Sequence, residues 1–165
     1  MDIIKELATE MEIEAATTRK MLALVPDDRL DWSPHPKSMT LKQLATHLAE
    51  IPAWMVIAVD HDELDFNAGG FQPTPVNSTA DILALFDKSY ETGRTALNRL
   101  PASKLDTPWV MRGGDVVYLD TNKYGMVRHA LAQTIHHRAQ LGVFLRLLDI
   151  AIPGSYGPSA DEMGG

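Results

Sequence analysis

Apolar residues recur at three- and four-residue spacing in four long segments of this chain, with charged side chains between them. From Asp2 to about Leu24, Ile3, Ile4, Leu7, Met11, Ile13, Ala15, Met21 and Leu22 follow that period, which predicts an amphipathic helix. The next stretch, VPDDRLDWSPHPKS, holds three prolines and cannot continue the helix. It is an ordered loop if Trp32 packs. A second helix opens at Thr40, where TLKQ forms a capping-box pattern, and runs to about Val59. Leu44, His47, Ile51, Trp54 and Ala58 share one of its faces, and Pro52 is expected to bend it one turn past the histidine.

After Asp60 the stretch HDELDFNAGGFQPTPVNS reads as loop. Ser78 with Asp81 opens a third helix that stops at Pro101. In TPWVMRGGDVVYLD, Gly113 and Gly114 separate two short apolar runs, as in a small hairpin or two-stranded flap. The fourth helix is MVRHALAQTIHHRAQLGVFLRLL, from Met126 to Leu148. At about 100° per residue, Met126, Ala130, Gln133, His137, Leu141, Phe144 and Leu148 lie close to one line down its side. Its middle therefore carries an amide and an imidazole where a packed helix normally carries Leu or Ala. The tail, DIAIPGSYGPSADEMGG, reads as an extended arm.

Four such segments joined by polar connections predict an all-α fold, a four-helix bundle in a single domain over residues 1–165. The connections between the first and second helices and between the third and fourth are long, so the rim they build is the expected substrate mouth. Composition narrows the function. With 45% hydrophobic and 22% charged residues, the chain reads as an ordinary globular protein without a membrane span. A net charge of −7 and no cluster of Lys and Arg argue against nucleic acid. Cysteine is absent, which removes disulfides, thiolate zinc sites and thiol nucleophiles. The acidic, amphipathic N-terminus is unlike a signal peptide and points to the cytoplasm.

The candidate chemistry is imidazole. Neutral histidine is the commonest protein ligand for zinc, nickel and ferrous iron, and inward side chains of facing helices are how bundles build metal sites. The triangular face such a site would use here is His47, Gln133 and His137. For any one inward histidine, a hydrogen-bonded core residue is the more frequent role. His136 points about 100° away from His137, and His129, about 80° off the stripe, pairs better with His136 than with His137. Glu50 reads more readily as a surface acid than as a ligand or a base on bound water. Gln140 is placed to hold a metal-bound water or a backbone carbonyl, and Arg138 to pair with an acid of a neighbouring helix or subunit. His35 and His61 read as solvated loop histidines. Trp32, Trp54, Trp109, Tyr118 and Tyr124 are core or pocket lining.

HHRAQLGVFLRLLDI followed by PGSYGPSADE resembles the C-terminal signature of the DinB-like, or YfiT-like, family of metal-dependent proteins. WSPHPKSMTLKQLATHLAEIPAW resembles that family's second-helix region. The resemblance implies a four-helix bundle with long loops between helices one and two and between three and four. It also implies a histidine triad: His47 and His137 match two members, and Gln133 stands where the third is a histidine. It implies a divalent metal cofactor (zinc, nickel or iron), a small-molecule substrate with a low-molecular-weight thiol as co-substrate, and a homodimer formed through exposed helix faces. Two functions are expected from this: a metal-dependent transferase or hydrolase with its site in the bundle core, or a non-catalytic homodimeric binding protein whose metal site has degenerated at Gln133.

Overall fold

The computed structural model describes residues 2–69 and 72–164. Helix α1 spans Ile3–Leu22, α2 Leu41–Glu50, α3 Trp54–Asp60, α4 Thr79–Asn98 and α5 Lys123–Leu147. The predicted start signals are in place. Thr40 accepts from the Gln43 amide while the Gln43 side chain accepts from the Thr40 amide, closing the capping box of α2. Ser78 caps α4 by accepting from Asp81 N–H. Pro52 divides the expected second helix into α2 and α3 through a single 3₁₀ turn, Ile51–Ala53. Helices α1 and α2 each pack on both α4 and α5. Leu22, Leu41, Leu44, Leu48, Ile82 and Leu97 are fully buried between them. The loop after α1 is ordered as anticipated, because the Trp32 ring meets Phe144 of α5 edge-on at 5.7 Å.

The all-α expectation is overturned. The chain has a mixed α/β fold, with a three-stranded sheet of order β1 (Glu63–Asp65), β2 (Pro108–Gly113) and β3 (Val116–Asn122). The β2–β3 hairpin is the flap that the two glycines announced, turning at Gly114 with φ +61 and bulging beside Met111. What makes it a sheet is β1, which pairs parallel to β2 with Leu64 opposite Met111 and Asp65 opposite Arg112. Three residues carry no readable period, and their ladder partner lies far along the chain, so this strand reads as loop in the sequence. Arg112 fastens it, donating to both carboxylate oxygens of Glu63 at 3.0 and 3.1 Å and meeting Asp65 at 2.6 Å. The inner face presents buried Trp109 and Met111 to the helices, while Val116, Val117 and Tyr118 stay exposed.

Two buried cations hold the ends together. Lys123 Nζ, at the start of α5, donates to the carbonyls of Ala58, Val59 and His61 and meets Asp62 at 2.9 Å, so one ammonium caps the C-terminus of α3. Arg138, at the middle of α5, is 1% exposed. Its guanidinium reaches Glu14 Oε2 at 2.5 Å and donates to the Tyr156 hydroxyl at 3.1 Å; that hydroxyl in turn donates to Glu14 Oε1 at 2.8 Å. The acid expected to pair with Arg138 is thus on α1 of the same chain, and the triad fixes the C-terminal arm against the helices.

Candidate functional site

The buried face of α5 is rotated relative to the stripe read from the sequence. Its line runs through Val127, Ala130, Thr134, Arg138, Leu141 and Leu145, all buried. Gln133 and His137 sit half-buried at its margin instead of in the core, and Gln133 lines a cavity there. A buried charge occupies the middle of the helix, but it is Arg138.

At that margin the structure brings His47 of α2 and His137 of α5 together. Their ring centroids are 4.6 Å apart with the planes at 84°. Trp54, placed by the turn at Pro52, lies edge-on to His47 at 5.5 Å. His137 Nδ1 lies 2.9 Å from Gln140 Oε1. An amide oxygen only accepts, so Nδ1 carries the proton and Nε2 keeps its lone pair. Gln133 lines the same cavity as His47, but its amide nitrogen points to His129 Nε2 at 3.5 Å, not to His137. His136 is exposed, with its ring 4.9 Å from that of His137. The expected pairing of His129 with His136 does not form: His129 goes to Gln133 and lies parallel to Trp54, within 10°. Glu50 is not a free surface acid, and it shares a cavity wall with His47. Its Oε1 accepts from the amide and hydroxyl of Thr74 at 2.9 and 2.7 Å, tying down the loop before α4.

Beneath His47 opens a cavity of about 390 Å³. Trp54 and Ile57 of α3, Leu64 and Met111 of the sheet, and Met126 and His129 of α5 form its walls. The sheet is what closes it, so its missing wall in the sequence reading is the unrecognised β1. On the other side of His47 lies a second cavity of about 490 Å³, more polar in character, bounded by Lys42, Thr46, Glu50 and Thr74. His47 is shared by both.

Burial pushes the pKa of His47 below the ordinary imidazole value, with the nearby His137 adding to the shift and Glu50 opposing it. Burial does the same to His137, against the hydrogen bond to Gln140, and to His129. The rings are therefore neutral at pH 7, the form that binds metals and accepts protons. As pH falls below the ordinary value of 6.5, the unfolded chain takes up protons that the folded rings refuse. Stability present above that pH is then lost on acidification. We expect the melting temperature to fall between about pH 7 and pH 5, and to fall less in His47→Gln; a flat profile in the parent protein over that window contradicts the assignment.

As to a metal, no group of three His, Cys, Asp or Glu side chains able to hold one occurs among the described residues. The donor types present are nevertheless ones that divalent ions take from proteins. Two neutral imidazoles meet, His137 is oriented by Gln140, and Gln133 Oε1 is left uncommitted when its amide nitrogen turns to His129. No helix among the described residues is long and apolar enough to cross a membrane.

The chain is similar to known proteins in sequence and in fold. Residues 10–141 match the sequence profile of the DinB superfamily. The uncharacterised protein YrdA of Bacillus subtilis is 25% identical over 151 residues, which cover 92% of this chain and 86% of YrdA. A crystal structure of a DinB-like protein from Bacillus cereus superposes with a TM-score of 0.72 at 21% identity, over 92% of this chain and 97% of that one. A mycothiol-dependent maleylpyruvate isomerase shares the fold more distantly, with a TM-score of 0.58 and 14% identity over 84% of this chain and 60% of the isomerase.

Proposed function

The chain belongs to the DinB superfamily, and on that premise we propose that it is a metal-dependent enzyme acting on a small molecule, of the thiol-dependent transferase or hydrolase type. One observation carries the reading: imidazoles from two separate helices meet at 4.6 Å, and one of them, His47, stands on the wall of a cavity large enough for a substrate. His47 and His137 would hold the ion, with the Gln133 carbonyl oxygen or solvent completing the set. A bound divalent ion supplies Lewis acidity, lowering the pKa of a water or thiol placed against it. The chain's own residues do the rest. Gln140 holds the His137 proton on Nδ1, Trp54 fixes the tilt of the His47 ring, and the apolar walls exclude water from the reacting end of the substrate. The isomerase among the structural neighbours depends on mycothiol, which favours a thiol co-substrate in this reading. A cytoplasmic location and a homodimer belong to the same proposal.

The competing reading is a binding protein with a relic site, favoured by the turn of Gln133 towards His129. Metal titration of protein purified without a histidine tag separates the two. The enzyme reading expects near-stoichiometric uptake of zinc, nickel or ferrous iron, weakened at least about a hundredfold by His47→Ala or His137→Ala and little changed by His136→Ala. Absence of uptake, with a melting temperature unmoved by a chelator, overturns the metal-enzyme reading and favours the binder.

A further inference from the structure

The cavity beneath His47 is selective in its chemistry, and the chain states that chemistry in three ways. First, its walls are largely apolar and rich in rings: Trp54, Phe66, His47 and His129, with Ile57 and Met126 between them. The Trp54 and His129 rings stack on one another, parallel within 10° and with centroids 6.3 Å apart, so the wall already holds one pair of stacked rings. Second, the described residues of the cavity offer no free charge. Asp65 is the acid on its wall, and its carboxylate is taken by Arg112 at 2.6 Å and by the amides of Asn67 and Gly114. An anionic ligand meets that carboxylate without a cation to spare, and a cationic one must compete with Arg112 for it. Third, one polar pair stands in the wall: His129 Nε2 lies 3.5 Å from the Gln133 amide nitrogen, a long contact that leaves His129 Nδ1 without a hydrogen-bond partner among the described residues.

We propose that this cavity binds an uncharged, ring-bearing small molecule whose single hydroxyl or carbonyl group is read by His129. This rests on the functional reading above only in taking the cavity as the substrate site; it names the substrate class. At about 390 Å³ the space lies at the small end of ligand pockets, which run from roughly 300 to 1,000 Å³, and suits a one- or two-ring molecule. The charged side chains near His47 stand on its other side, where Lys42 and Glu50 line the second cavity with Thr46. The buried Thr46 hydroxyl, which has no hydrogen-bond partner, stands in that second wall and not in the first.

The test uses four probes that share a two-ring frame: naphthol, naphthalene, naphthalene sulfonate and naphthylmethylammonium. Binding is followed by quenching of tryptophan fluorescence and by equilibrium dialysis, with and without added zinc. Naphthol is expected to bind saturably, roughly tenfold more tightly than naphthalene and than either charged probe. His129→Phe, and His129→Leu as a second variant of different shape, are expected to reduce the naphthol-over-naphthalene preference to about onefold. Leu64→Trp, which fills the cavity from the edge of the sheet, is expected to abolish binding of both. Sulfonate or ammonium binding as tight as naphthol, or a naphthol preference unchanged in both His129 variants, overturns the proposal. Binding of naphthol as predicted in a protein that takes up no zinc overturns the metal-enzyme reading alone. Zinc uptake with no naphthol preference overturns this inference alone.

Discussion

Replacing Arg138 with alanine is expected to destabilise the protein by about 3–5 kcal/mol, the range for removing one partner of a buried ion pair. The guanidinium is 1% exposed, and its withdrawal leaves the Glu14 carboxylate, itself 6% exposed, facing an apolar interior. The Tyr156 hydroxyl still donates to Glu14 Oε1, which compensates only part of the loss. Glu14→Ala should cost nearly as much for the mirror-image reason, and the double variant much less than the sum, because neither charge is then stranded. Urea denaturation of the three variants measures this. Additive losses, or a single-variant loss below about 1 kcal/mol, contradict the assignment of the pair as a coupled unit. Arg138 also follows His137 directly, so relaxation of the buried pair is expected to loosen the imidazole contact as well as the fold.

Gly93→Ala is expected to have the second largest effect. A Cβ built on Gly93 of α4 falls 2.0 Å from the Pro52 carbonyl oxygen and 2.8 Å from its carbon, both backbone atoms that cannot rotate away. The helix and the 3₁₀ turn must separate, at a cost of about 1–3 kcal/mol or more, although alanine is intrinsically the better helix former by nearly 1 kcal/mol. That turn positions Trp54 beside His47, so metal uptake should fall with stability. Gly142→Ala in α5 is the matched control. Its Cβ would meet only flexible side-chain atoms, at 3.6 Å and beyond, and the helix preference should leave stability unchanged or raised. Melting temperatures of the two variants check the contrast, and equal losses at both positions contradict it.

The helices were readable where the sequence states their boundaries: Thr40 with Gln43, Ser78 with Asp81, and the break at Pro52 are local signals answered by local hydrogen bonds, whereas α5, read from Met126, begins at Lys123 under an Asn122 cap. The sheet depended on a pairing between Glu63–Asp65 and Val110–Arg112 that no local pattern encodes. His47 and His137 were found because both interrupt apolar stripes. His129 was set aside on helical geometry alone, which places residues around one axis but does not say where the neighbouring elements leave space. The cavity lies on the side of α5 that Trp54 and the sheet face, and that side includes His129. The same rotation explains why Arg138, whose charge suggests a surface position, is the buried residue at the middle of the helix: Glu14 waits for it on α1.

The most direct measurement of the central claim is anomalous scattering from crystals of the untagged protein grown with zinc or nickel. The account predicts one dominant peak bridging α2 and α5, with imidazole nitrogens of His47 and His137 at about 2.0–2.2 Å from it. A map at saturating metal with no peak there, and with both rings free of any bound ion, would contradict the account.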